Sequence, residues 1–68
     1  MSEAVYTVTG MTCDHCVASV TEEISEIDGV TAVAVDLPTG AVTVASTRPI
    51  KEADVRVAVE EAGYRLAA

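Results

Sequence analysis

The chain has two cysteines and one histidine, and all three lie within four consecutive positions, Cys13-Asp14-His15-Cys16. Thiols three residues apart can exchange a disulfide with a substrate, as C-x-x-C pairs do in thioredoxin-type enzymes. As thiolates they can also hold a metal ion. A free cysteine is often only a small buried hydrophobe, but a pair at this spacing beside Gly10 argues against inert packing. For the redox reading, the flanking chemistry is wrong: Asp14 and His15 stand where an aromatic or a proline would be expected. A structural zinc site takes four ligands, and two Cys with one His fall short of that within one chain. Two thiolates alone can satisfy a soft monovalent ion. Cu(I) prefers soft sulfur and accepts two-coordinate binding, which leaves the metal open to attack by a third thiolate. That openness suits a carrier, whereas a closed site would trap the ion.

The neighbours of the pair each have more than one use. His15 can be a third ligand, a proton-linked tuner of the thiolates, or a solvated residue at a helix start, and its expected direction away from the sulfurs favours the last two. Asp14 is expected to be a first-turn acid. Met11 is expected to plug the core beneath the loop, with thioether donation to Cu(I) as the alternative. Thr12 is a candidate side-chain cap for the following helix. Tyr64 follows Gly63, so it can serve the core or turn its hydroxyl toward the cysteine loop.

The elements that must position these residues follow from periodicity and punctuation. Ala4 to Thr9 reads as a strand, with Ala4, Tyr6 and Val8 on one face, and Gly10 ends it. Val17, Val20, Ile24 and Ile27 form a helical stripe, closed by Asp28 and by Gly29 as a left-handed cap. Val30 to Leu37 alternates again, with Val33, Val35 and Leu37 on one face. Pro38-Thr39-Gly40 is a hairpin turn, and Ala41 to Ala45 returns with Val42 and Val44 inward. Pro49 opens a second helix over Lys51 to Ala62, which has no good side-chain cap at its start. Val55, Ala58, Val59 and Ala62 make its apolar stripe, and Gly63 caps its end. Tyr64 to Leu66 is a short last strand. Strand, helix, strand, strand, helix, strand is the order of an α+β, ferredoxin-like βαββαβ fold. It predicts a four-stranded antiparallel sheet with two helices on one face. The other face would carry Thr7, Thr9, Asp36 and Thr43.

With 68 residues the chain is one domain at most, in the range below roughly 70–80 residues where a single core gives thin stability. There is no Trp and no Phe, so the core must be built of small aliphatics helped by Ile24, Ile27, Leu37, Ile50 and Met11. Little room is left for a buried substrate cavity, which argues against a self-contained enzyme. Eleven acidic residues against four basic ones give a formal charge of −7. That surface repels nucleic acid and anionic membranes and fits solubility or a partner with a basic face. The N-terminus lacks a signal-peptide pattern, and no apolar run approaches the roughly 18 residues of a membrane helix. A cytoplasmic location follows as the expectation, and there a stable disulfide is disfavoured.

Three segments in order resemble a known family. Gly10-Met11-Thr12-Cys13-Asp14-His15-Cys16 is similar to the G-M-T-C-x-x-C signature of the heavy-metal-associated domain. The G-V-x-x-V-x-V pattern from Gly29 to Val35 and the A-G-Y at Ala62 to Tyr64 are similar to later segments of that family. The short chain with His15 before the second Cys resembles bacterial CopZ-type copper chaperones. The resemblance implies one heavy-metal-associated domain over residues 1–68, with Cu(I) held by Cys13 and Cys16. It implies transfer by thiolate exchange to a C-x-x-C of a copper-transporting P-type ATPase or to a copper-sensing repressor. It also implies that Met11 supports the loop from the core and that Tyr64 stands close to the site. Zinc carriers of the family typically have an acidic residue before the first Cys, and Thr12 in that place favours copper.

The expectation is therefore a Cu(I) metallochaperone and not an enzyme, monomeric without metal, with a copper-bridged dimer as a plausible loaded form. The alternatives are a small thiol–disulfide oxidoreductase and an excised N-terminal metal-binding domain of a copper ATPase. The start at Met1 and the absence of a linker argue mildly against the latter.

Overall fold

The computed structural model describes residues 1–67. It comprises β1 (Ser2–Thr9), α1 (Asp14–Ser25), β2 (Val30–Asp36), β3 (Ala41–Ser46), α2 (Glu52–Glu61) and β4 (Arg65–Leu66). The strands make one sheet in the order β2-β3-β1-β4, and each neighbouring pair is antiparallel. This is the ferredoxin-like arrangement expected from the chain's punctuation. β1 begins at Ser2 rather than Ala4, because Ser2 and Glu3 pair with Ser46 and Ala45.

Period-two alternation decides which side chains meet the helices. The register sets Tyr6 opposite Val42, and Val42 opposite Val35; it likewise sets Ala4 opposite Val44, and Val44 opposite Val33. Two rows of side chains thus cross three strands on one face, the cross-strand contact that stabilises a sheet. Val20 and Ile24 of α1 and Val55, Ala58 and Val59 of α2 close over that face, with Val8, Val42 and Val44 completing the buried set. Each fully buried Val or Ile stabilises the fold by about 1.5–3 kcal/mol. Among the described residues all eight buried apolar side chains are aliphatic, so the buried core has no aromatic anchor and depends on its valines.

Two expectations about the core need correction. Leu37 lies past the end of β2, half-buried in the turn and outside the set packed on the core. Val30 instead joins that set. It does so through a bulge: Val30 pairs with Ser46 and Ala32 with Ala45, leaving Thr31 unpaired. The extra residue turns both Val30 and Val33 toward the helices, which strict alternation forbids. Val17, expected in the helical stripe, is half-buried at the loop end of α1 and also outside the packed set. The open face carries exposed Thr7, Thr9 and Asp36 and half-buried Thr43 as expected, with exposed Val5 among them.

The turns fix the spacing of the strands. Between β2 and β3, the Gly40 amide donates to the Asp36 carbonyl at 2.8 Å, and the Thr39 hydroxyl donates to the Asp36 carboxylate at 2.8 Å. The Gly40 carbonyl then accepts the Val8 amide at 2.8 Å, tying the hairpin to β1. This contact leaves no room for a side chain: a Cβ on Gly40 would lie 2.6 Å from the Val8 carbonyl oxygen, at a φ of +76°. α2 ends in a Schellman motif, with the Tyr64 amide on the Val59 carbonyl and the Gly63 amide on the Glu60 carbonyl, both at 3.0 Å. At its start α2 has Lys51 as N-cap and no side-chain cap bond, as expected. Gly29 is not a helix cap. α1 ends at Ser25 with Glu26 as C-cap, and Gly29 sits in the next turn, closed by the Val30 amide on the Ile27 carbonyl at 3.1 Å.

Gly40→Ala and Gly63→Ala separate steric from conformational cost. Both positions have positive φ, but nothing lies within 4 Å of a Cβ at Gly63. Denaturant unfolding of the reduced protein should show Gly63→Ala destabilised by about 1 kcal/mol and Gly40→Ala by up to about 3 kcal/mol. Equal losses would mean that the approach of Gly40 to Val8 is not a constraint.

Candidate metal centre

β1 and α1 are joined by four residues, Gly10 to Cys13. Met11 is half-buried and packs on the core, while Thr12 and Cys13 are exposed. The loop is therefore pinned at its root and open at its tip. Cys13 is the N-cap of α1, with an extended backbone at φ −156° and ψ 174°. Its carbonyl accepts the amides of Cys16 at 3.1 Å and Val17 at 3.3 Å. Cys16 is the third residue of the helix, so the two side chains lie on one side of the first turn. Their sulfurs are 3.6 Å apart and both thiols are free, Cys13 exposed and Cys16 half-buried.

This local geometry also sets the charge state. The first turn of a helix presents unpaired N–H groups and a partial positive charge. No side chain caps α1, so those groups remain available to an anion. Cys16 responds: its pKa falls from the ordinary 9.0 to about 6. A backbone hydrogen bond with Thr12 is the largest cause, followed by the Tyr64 hydroxyl, and the Cys13 thiol adds to both. In return the Tyr64 phenol is harder to ionise, mainly because its hydroxyl serves Cys16. At neutral pH Cys16 is thus mostly thiolate, the form that binds metals and attacks disulfides.

Sequence reasoning placed the pair correctly and misassigned one neighbour. Thr12 does not cap α1; its hydroxyl lies 3.9 Å from Cys16 Sγ. The residue type signalled a hydroxyl at the helix start, but only the fold shows which acceptor it meets. Tyr64 fills both roles weighed for it. Its ring packs on the core and lies against Gly10, whose Cβ position is 3.5 Å from Tyr64 Cδ1, and its hydroxyl faces Cys16. Asp14 is the first-turn acid of α1, and His15 is exposed beside it. Among the described residues no three His, Cys, Asp or Glu side chains converge as a metal-ligand set. His15 is therefore not gathered with the cysteines, and the pair stands alone.

A βαββαβ sandwich that presents two convergent thiols where its first loop enters α1 is a small domain for soft metal ions. The chain belongs to the heavy-metal-associated domain family, whose sequence profile matches residues 5–65. It is 38% identical over 68 residues to the copper chaperone CopZ of Bacillus subtilis (strain 168), covering 98% of this chain and 99% of that one. The solved structure of a CopZ metallochaperone superposes with a TM-score of 0.90 at 33% identity, over 97% of this chain and 100% of the other. A copper-binding domain from HMA7, a P-type ATPase, superposes with a TM-score of 0.87 at 32% identity, over 100% of this chain and 96% of that domain.

The electrostatics give a direct test. Ultraviolet thiolate absorbance of the reduced protein should show a group titrating near pH 6. Tyr64→Phe should raise that value. Thr12→Ala should leave it nearly unchanged, because the Thr12 contribution comes from the backbone. The folded-state pKa lies below the ordinary one, so the thiolate favours the fold. That contribution is complete above pH 9 and is lost as pH falls from 9 through about 6. Stability relative to Cys16→Ser should therefore decline across that window, and a flat difference would contradict the assignment.

Proposed function

We propose that this chain is a copper metallochaperone that carries Cu(I) between Cys13 Sγ and Cys16 Sγ and passes it to a partner thiolate pair. The observation that carries this reading is the isolated pair of sulfurs, 3.6 Å apart, one on the exposed loop and one half-buried in the first turn of α1. Two soft donors suit a filled-shell monovalent ion. The near full-length similarity to a protein named as a copper chaperone supports the choice of metal.

Transfer follows from the asymmetry of the site. A partner thiolate attacks the two-coordinate copper, one protein sulfur leaves, and a second exchange completes the move. Each step replaces one Cu–S bond by another, so no free ion is released. Similarity to a P-type ATPase domain supports a copper-transporting ATPase as acceptor, because a like site makes the exchange nearly balanced in energy. A copper-sensing repressor with a thiolate pair would work by the same exchange. An added thiolate from a second copy would give a copper-bridged dimer, and the chain without metal is monomeric in this reading. Free thiols call for a reducing compartment, which is the reason for placing the carrier in the cytoplasm. No described helix is long and apolar enough to cross a membrane.

One observation favours a second reading. A thiolate with a pKa of about 6 beside another thiol also suits disulfide exchange. Turnover of a disulfide substrate such as insulin without metal would support that enzyme.

Anaerobic titration with Cu(I) against a competing chelator, with Zn(II) in parallel, tests the carrier reading. One copper per chain should bind tightly, and Zn(II) far more weakly. Changes to outer groups alone typically cost 10–100-fold in metal affinity, so Cys13→Ser and Cys16→Ser should each lose more than about 100-fold. Affinity should fall as pH falls, because protons compete for the sulfurs. Unchanged affinity in both serine variants would end the proposal.

A further inference from the structure

α2 carries one large apolar side chain that the core does not use. Its inward stripe is Val55, Ala58 and Val59, all buried, whereas Val57 is 54% exposed. Asp54, Val57 and Glu61 fall at i, i+3 and i+7 and so share a face of the helix. Asp54 and Glu61 wall one side of a groove of ≈ 390 Å³ between the helices, whose apolar lining on this side is Val57 and Ala58. Glu23, at the end of α1, and Glu26, just past it, form the opposite wall, and half-buried Ile27 joins Val57 in the floor. The groove is thus apolar along its floor and acidic on both sides.

No cation lines this groove. Two of the chain's basic residues are already engaged: Arg48 pairs with Asp28 at the groove's end, and Arg56 pairs with Glu52. The carboxylates therefore act on one another. Glu26, and to a lesser degree Glu61, make Glu23 harder to ionise. Like charges gathered across two helices oppose the packing that brings them together, and no basic side chain lines the groove to offset them.

We propose that the groove between α1 and α2 docks a basic amphipathic segment of a partner protein. An aliphatic side chain of that segment would lie on Val57 and Ile27. Its Lys or Arg side chains would pair with Glu23, Glu26, Asp54 and Glu61. Charge complementarity selects this occupant. A second copy of the chain brings the same net charge of −7 and does not complement these acidic walls, nor does an anionic lipid surface. A small hydrated cation would meet the carboxylates but leave the apolar floor uncovered. The groove is lined by neither cysteine, so the proposal is independent of the copper reading.

The test uses the reduced, metal-free protein labelled with 15N. It is titrated with a synthetic helical peptide carrying Lys at every third or fourth position and Leu between. A scrambled peptide of the same composition is the control. Amide shifts should concentrate at Glu23, Ile27, Val57 and Glu61, and the ordered peptide should bind tighter than the scrambled one. Glu23→Gln combined with Glu61→Gln should weaken binding by about three- to tenfold, the range for two partly exposed ion pairs. Binding should also weaken at high salt. The double variant relieves repulsion, so its fold should be at least as stable, and Val57→Ser tests the floor from an exposed position. Equal affinity for the scrambled peptide, shifts centred on the cysteine loop, or unchanged binding by the double variant would each overturn the proposal. Because no metal is present, none of these outcomes bears on copper binding.

Discussion

Two sulfurs stand 3.6 Å apart, and charge on them is what makes them useful. A thiolate at Cys16 needs something nearby that stabilises negative charge. In this protein that stabilisation comes from dipoles. No Lys or Arg is among the groups that lower the Cys16 pKa; the Thr12 backbone and the Tyr64 hydroxyl lead them. The first turn of α1 adds its uncapped amides. A site charged by dipoles rather than by a cation leaves the sulfurs without a fixed counter-charge to compete with an incoming metal ion.

The rest of the fold can be understood as what keeps that turn in place. β1 delivers the chain to Gly10, Met11 roots the loop in the core, and Val20 and Ile24 seat α1 on the sheet. Tyr64 arrives from the other side, at the end of the Schellman turn that closes α2. Both β-α units thus contribute to the environment of one sulfur. The core that fixes them is made of small aliphatic side chains, in a chain short enough for stability to be thin. Close contacts such as Gly40 on Val8 therefore carry more of the architecture than they would in a larger domain.

Charge is distributed with a similar division of labour. Two of the four basic residues are tied to acids, Arg48 to Asp28 and Arg56 to Glu52. Both pairs are exposed, and such pairs contribute only about 0–1 kcal/mol. The acidic excess is therefore not a stabilising feature. It gives the molecule solubility and a long-range field that repels anions and attracts basic surfaces.

The sequence by itself determined the element order, the fold class and the candidate ligands. These depend on signals between near neighbours: period-two and helical stripes, glycine-marked ends, and cysteines spaced by one helical turn. The position of Cys16 at the first turn of α1 was legible for that reason, whereas Cys13 rather than Thr12 as the N-cap was not. Only the tertiary structure decided the rest. Thr31 is extra in β2 because β3 offers it no partner, and that bulge, invisible in the alternation, brings Val30 inward in addition to Val33. Thr12 serves Cys16 rather than a backbone amide, and the Tyr64 hydroxyl reaches a sulfur far away in the chain. The acidic walls of the helix groove come from separate helices. Each of these depends on where a distant segment comes to rest, and that is set by packing the whole core at once rather than by any local pattern.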